Sequence, residues 1–254
     1  MAAGASISTA YLEFDNGDFD AAGFTAQTLA NARSLAAVID HTLLKPEATR
    51  EQVEKLCNEA AEYRFACAMV NPVWACTATS VLSGTGVPVG VVVGFPLGAS
   101  LVSTLRYEVA TLARLGAKEI DMVLPIGQLK SGNHQAVEHT IRSVASVTHH
   151  HGAILKVILE TCLLTVEEKL RAAEIAIQAG TDFLKTSTGF STGGATAADV
   201  ALLRGVAGAR CGVKASGGIR TLADARAMLE AGANRIGASA SVAILRELGE
   251  LTDE

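Results

Sequence analysis

No basic tract and no basic-aromatic stripe occurs in the chain, and its formal net charge is −5 at pH 7. That balance argues against a nucleic-acid partner. It leaves a small anionic substrate open, because the field within a site need not follow the net charge. Cysteine is scarce and unpatterned: five residues, an odd number, with no CxxC pair. The expectation is reduced core thiols in a cytoplasmic protein rather than a disulfide frame. Histidines with helical metal-binding spacing are missing, since His134 and His139 stand five apart instead of four. The run His149-His150-His151 falls where a helix should end and suits its C-terminal dipole. No metal site and no cofactor is expected. Residues 65–105 contain no Asp, Glu, Lys or Arg. Pro72, Gly84, Gly86, Pro88, Gly94, Pro96 and Gly98 cut that run into pieces too short for a membrane span, so buried parallel strands are the better reading. The first 20 residues carry four acidic and no basic side chains, which does not fit a secretory signal.

What is present is a regular beat. After a loose tail to about residue 23 and a helix over Phe24–Ala36, strand-like and helix-like runs alternate. The strands are expected at 38–42, 65–70, 89–95, 119–124, 154–160, 182–187, 212–215 and 235–238. Helices are expected at about 49–63, 73–82, 102–115, 133–149, 166–179, 196–207, 221–231 and 240–248. Asn133, Thr165, Thr196 and Thr221 occupy N-cap positions. Gly116, Gly180 and Gly232 stand where a helix turns back to a strand. Eight βα units in about 210 residues, without a GxGxxG turn after the first strand, fit a (β/α)8 TIM barrel better than an open doubly wound sheet. The expected division is an N-terminal tail and short helix over 1–36, a barrel over 37–249 and a C-terminal tail over 250–254.

The ionisable residues within the strands carry the chemistry. Lys185 stands in the apolar run Asp182-Phe183-Leu184-Lys185-Thr186-Ser187. A buried ammonium loses its water, and the cost is relieved by a lowered pKa, which leaves a nucleophilic amine. That is the requirement for a Schiff-base lysine. A lysine snorkelling from an outer strand is the plain alternative. Lys156 in strand five, Lys214 in strand seven, Asp121 in strand four and Asp40 in strand one favour convergence on one polar site. A neighbouring cation would lower the pKa of the nucleophile further. This reasoning leaves open which of the three lysines forms the imine. Gly217-Gly218 follow strand seven, and Gly237-Ala238-Ser239 close strand eight, where barrels commonly seat phosphate on backbone N–H groups. Turn-making is the plain alternative for those glycines. Thr188-Gly189 and Gly193-Gly194 form a loop placed to close over a substrate.

The stretches IDHTLLKPEAT (39–49), VVGFPLGA (92–99), GAKEIDMVLPIG (116–127), LKVILETC (155–162), AGTDFLKTSTGF (179–190), GVKASGGIR (212–220) and RIGAS (235–239) together resemble the deoxyribose-phosphate aldolase family of class I aldolases. The resemblance covers some four fifths of the chain. It implies a (β/α)8 barrel that reversibly cleaves 2-deoxy-D-ribose 5-phosphate to glyceraldehyde 3-phosphate and acetaldehyde. By the same resemblance Lys185 is the Schiff-base lysine, and Lys214 tunes it and assists proton transfer. Asp121 is the acid/base group and Lys156 works beside it. Asp40, Thr42, Thr188, Gly189, Gly217, Gly218, Gly237 and Ser239 match substrate- and phosphate-contacting positions.

Two departures stand out. Ala240 replaces a serine that some members carry, and the last tyrosine is Tyr107, so a C-terminal proton-transferring tyrosine is absent from this sequence. A neutral Lys185 beside a cationic Lys214 near pH 7 is the working expectation. The alternatives are a class I aldolase or transaldolase acting on another phosphosugar, and a non-catalytic phosphometabolite-binding barrel. A class II metal aldolase lacks its His/carboxylate cluster here. A homodimer or higher assembly is expected from apolar outer helices, with no membrane partner.

Overall fold

A computed structural model describes residues 19–252. Eight parallel strands close into a barrel in chain order. They are β1 (Ile39–Leu43), β2 (Cys67–Val70), β3 (Val89–Val93), β4 (Glu119–Val123), β5 (Ile154–Ile158), β6 (Phe183–Lys185), β7 (Gly212–Ser216) and β8 (Arg235–Ala238). Closure comes from β1, which pairs with β2 on one side and β8 on the other. The helices are α1 (Ala21–Thr28), α2 (Ala32–Ala36), α3 (Arg50–Tyr63), α4 (Ala75–Val81), α5 (Val102–Arg114), α6 (Ile126–Lys130), α7 (His134–His150), α8 (Val166–Gln178), α9 (Ala197–Ala207), α10 (Leu222–Glu230) and α11 (Ser241–Thr252). The expected TIM barrel is therefore the fold.

Local chemistry sets the boundaries. Asn133, Thr165, Thr196 and Thr221 all cap their helices through the side chain. Thr49, Thr165 and Thr221 complete reciprocal capping boxes with Gln52, Glu168 and Asp224. Gly180 and Gly232 end α8 and α10 at φ of 96° and 106°, a region costly for any residue with a Cβ.

The expected helix over Phe24–Ala36 is two helices. The Asn31 side chain accepts from Ser34 N and starts α2 afresh, so a capping side chain wins over continuous helix. The expected tail ends sooner than residue 23, because Asp20 caps α1. The rest of that tail, residues 1–18, lies outside the described residues, as do residues 253–254. At the other end, α11 runs on to Thr252, past residue 249. The short α6 after β4 was not anticipated. Strands β3, β5 and β6 stop two residues before the expected ends, at the side of the barrel where the chemistry gathers.

The uncharged run 65–105 resolves into β2, β3 and short helical segments. No helix among the described residues is long and apolar enough to cross a membrane. Of the five cysteines, all free, Cys57, Cys67 and Cys211 are buried as expected. Cys76 and Cys162 are exposed, so the reading of all five as core residues fails for those two.

Two cores result. The larger lies between strands and helices and includes Ile120, Leu155, Val157, Leu184, Val213 and Ile236. A small one inside the barrel holds Leu44, Cys67, Met69 and Val92, with Phe95 packed against it. Val123, Ile158 and Phe183 are also buried on inward positions, and the remaining inward side chains include an ionic cluster.

Candidate active site

Alternation along β4 builds the site. Ile120 joins the outer core, so its neighbours Glu119 and Asp121 face inward. Glycines make room for long side chains. A Cβ on Gly212 would lie 2.2 Å from the Phe183 ring, and one on Gly237 would lie 3.0 Å from Lys214 Cε. Lys214 stands opposite Lys185 in the β6–β7 register, whereas Lys156 sits a layer lower, opposite Phe183.

The inward side chains form one ionic cluster. Lys185 Nζ donates to Asp121 Oδ2 at 2.7 Å, and Lys214 Nζ donates to the same oxygen at 2.8 Å. Lys156 Nζ donates to Asp121 Oδ1 at 2.7 Å. Lys214 also donates to Asp40 Oδ2, and Arg235 holds Asp40 Oδ1 at 2.7 Å. Glu119 lies against Lys156 and Arg235. Lys156, Asp121 and Asp40 have no solvent exposure, and Lys185 retains 3%. Four cations thus share three carboxylates in a dry interior. One of the four lacks a full counter-charge, and Lys185 meets a single carboxylate oxygen that it shares with Lys214.

The titration shifts follow that imbalance. Burial pushes the Lys185 ammonium down to about 8, with Asp121 opposing and Lys214 assisting. Desolvation, rather than the neighbouring lysine, is the larger cause. The shift is in the direction that favours the neutral amine over an ordinary lysine's ammonium. Burial also works against the charge on Lys156, but Asp121, Glu119 and Asp40 outweigh it and hold that ammonium well above its ordinary value. Asp121 resists its own burial through Lys156, Lys185 and Lys214, which keep its carboxylate well below the usual range. The Cys67 thiol is pushed up by burial. Asp40, Cys67 and Glu119 bring possible ligand atoms within 4.8 Å of one another. Both carboxylates there already face Lys156 and Arg235, so a metal ion would have to displace them.

Above the cluster, at the C-terminal ends of the strands, opens a cavity of about 420 Å³. Its wall includes Lys185 and Lys214 together with Thr42, Thr188, Gly189, Gly217, Gly218, Gly237 and Ser239. Every expected substrate-contacting residue except Asp40 is on that wall. Asp40 lies beneath Lys214 and accepts a hydrogen bond from it, off the wall of the cavity. Asp121 and Lys156 also sit below the floor. Gly217 and Gly218 turn in succession at φ of 89° and 83°, and α11 begins two residues after Ser239. Ala240, the departure from the resemblance, is not on the wall.

Several residues of the site escaped the sequence reading. Glu119 shares the inward face with Asp121 at spacing two, and Arg235 shares one with Gly237, so period alone could have found both. Lys45 and Arg220 line the outer part of the cavity as exposed cations within the quoted motifs. Glu160 is buried behind the loop after β6; it falls within the quoted stretch 155–162, but no residue type there signals its left-handed backbone.

A (β/α)8 barrel whose catalytic mouth holds a depressed lysine on a lysine-clamped carboxylate belongs to the class of imine-forming aldolases. Residues 34–247 match the family described as DeoC/LacD family aldolase, and the chain belongs to that family. It is 53% identical over 219 residues to the deoxyribose-phosphate aldolase of a Thermoanaerobacter species, covering 86% of this chain and 98% of that one. It is 55% identical over 212 residues to the deoxyribose-phosphate aldolase of Listeria monocytogenes, covering 84% and 95%. Its fold superposes with a TM-score of 0.84 on the tetrameric deoxyribose phosphate aldolase of Aeropyrum pernix, at 35% identity over 91% of this chain and 98% of the other.

Proposed function

We infer that this chain is a Schiff-base aldolase that reversibly cleaves 2-deoxy-D-ribose 5-phosphate to D-glyceraldehyde 3-phosphate and acetaldehyde. The observation that carries the reading is Lys185 Nζ. It faces the cavity with its pKa pushed down to about 8, 2.7 Å from a carboxylate that two other lysines also grip. The relatives' names supply the substrate.

The proposed steps follow from the groups. Neutral Lys185 adds to the C1 aldehyde, and loss of water gives an iminium two atoms from the C3 hydroxyl. The C3 hydroxyl proton leaves through a water, C2–C3 breaks as C3 becomes the aldehyde carbon of the departing fragment, and the electron pair settles into the enamine of acetaldehyde. Glyceraldehyde 3-phosphate departs, the enamine takes a proton at carbon, and water frees the lysine. Lys214 is the better proton carrier for these steps, because it reaches both the cavity and Asp121. Lys156 lies below the floor, and its role is to keep Asp121 ionised and in place. General acid–base help of this kind contributes about 10² to 10⁴-fold.

The phosphate end is assigned to Gly189, Gly217, Gly218, Gly237 and Ser239, with Arg220 and Lys45 as outer counter-charges and the α11 N-terminus behind them. Residues 37–249 are the catalytic barrel and 1–36 an extension, of which α1 packs on α10 and α2 on α11, away from the site. Carbohydrate breakdown in the cytoplasm suits two exposed free thiols, Cys76 and Cys162. Exposed Val73, Leu101 and Tyr107 suit a homo-oligomer.

A substrate panel tests the assignment. Release of acetaldehyde from 2-deoxyribose 5-phosphate, and not from other phosphosugars, is the expected result. Equal or faster cleavage of a sugar that yields no acetaldehyde would contradict it.

A further inference from the structure

Glu160 has no part in the steps above, yet its geometry is the most constrained near the cavity. Among the described residues only Arg64 and Glu160 are non-glycine residues with positive φ. Arg64 is the left-handed cap that ends α3. Glu160 ends no helix. It sits at φ 56°, ψ 63° just past β5 and before a short 3-10 turn at Thr161–Leu163. A left-handed backbone costs a residue with a Cβ about 1–2 kcal/mol and persists only where the surroundings hold it.

The surroundings are the strand and loop of Lys185. On either side of Glu160, Leu159 N–H donates to Lys185 O and Thr161 N–H donates to Thr186 O. The left-handed turn between these two ties sends the Glu160 carboxylate behind the loop after β6. There Thr188 N lies 3.3 and 3.4 Å from its two oxygens, and the Thr188 hydroxyl donates to it as well. Thr188 Oγ1 in turn accepts from Phe190 N at 3.0 Å. The Phe190 ring meets Phe95 edge-on at 5.2 Å. Glu160 is 2% exposed, its Oε1 also takes a long contact from Cys162 Sγ at 3.9 Å, and its recorded partners among the described residues are neutral groups. A buried carboxylate held by neutral donors is an expensive group to retain for packing alone.

We propose that Glu160 is a positioning residue that fixes the Thr188–Gly189–Phe190 wall of the cavity and so sets affinity for the phosphorylated substrate, without acting on imine formation at Lys185. The hydroxyl of Thr188 is thereby committed to Glu160 and Phe190. Thr188 shapes the wall through its backbone, and Gly189 N–H is left to face the ligand. The inference rests on the aldolase reading above.

The test separates the two. Glu160→Gly relieves the backbone strain and removes the carboxylate, whereas Glu160→Gln keeps one acceptor oxygen. Each variant, and Thr188→Val, is assayed for KM and kcat on 2-deoxyribose 5-phosphate. Each is also assayed for the rate at which acetaldehyde plus borohydride labels Lys185, with folding checked by circular dichroism. The expected result for Glu160→Gly is a KM raised about tenfold or more, with labelling within about twofold of the parent, and a smaller rise for Glu160→Gln. Adding Thr188→Val to Glu160→Gly should cost little more, because both remove the same link. A folded Glu160→Gly with parental KM would overturn the proposal, and so would equal losses in KM and labelling. If the parent is labelled at Lys185 but cleaves another phosphosugar, the substrate reading fails and the same KM comparison is made with that sugar.

Discussion

Ile120 and Asp121 are neighbours in β4, both fully buried, and they belong to different kinds of interior. Ile120 joins a continuous apolar layer between strands and helices. Asp121 joins a cluster in which each charge survives only through its partners. The outer layer gains stability from area, about 25 cal/mol per Å² removed from water, and tolerates changes that keep volume and polarity. The inner cluster is set by count and geometry. Its four cations against three carboxylates leave one ammonium poorly compensated, and Lys185, which meets a single shared carboxylate oxygen, faces the cavity. Fold and function are thus carried by alternate residues of the same strands.

The comparison is most sharply broken at Lys185. Lys185→Ala removes the nucleophile and should lower kcat/KM by at least about ten-thousandfold. It also removes the surplus cation, so thermal unfolding should show stability equal to or above that of the parent. A marked loss of stability would mean that the cluster needs Lys185 for balance. Asp121→Asn attacks the centre. Kinetics should show a loss of about 10² to 10⁴-fold, and denaturant unfolding a cost of about 3–5 kcal/mol, because three lysines lose their shared partner.

The pH profile is gentler. Proton loss from Lys185 creates the nucleophile, and its folded pKa is depressed to about 8. kcat/KM should therefore rise about tenfold between pH 7 and pH 9, reading the free enzyme. A profile flat across that window would mean that Lys185 is already neutral at pH 7 or that another step limits. The smallest effect belongs to the outer layer. Ile120→Val should cost about 0.5–1.5 kcal/mol in unfolding and leave kcat/KM within twofold. A large kinetic loss there would show that the two interiors are not separable.

The outer layer was legible in the sequence because it depends on period and punctuation. Strand and helix alternation, four threonine and asparagine caps, and the glycines closing α8 and α10 all stand where those signals put them. The inner cluster was legible in part. Lysines and aspartates inside apolar strands announce themselves by cost, so Lys156, Lys185, Lys214, Asp40 and Asp121 were found. Glu119 and Arg235 begin their strands, where a charge is readily taken as solvent-facing, although the period of two puts them on the inward face with Asp121 and Gly237. Asp40 sits below the cavity wall against Lys214, because depth within a strand is set by barrel stagger rather than by the local pattern. Glu160 depends on a left-handed backbone that no residue type there signals. The break at Asn31 shows the opposite case, a signal that was present and outweighed by helical composition.

The most direct test of the central claim is to trap the enzyme with acetaldehyde and borohydride and map the modified peptide by mass spectrometry. The account predicts a single ethyl adduct on Lys185, absent from Lys185→Ala, with Lys156 and Lys214 unmodified. An adduct on Lys214 or Lys156 in the folded parent would contradict the claim that the uncompensated cation of the cluster is the nucleophile.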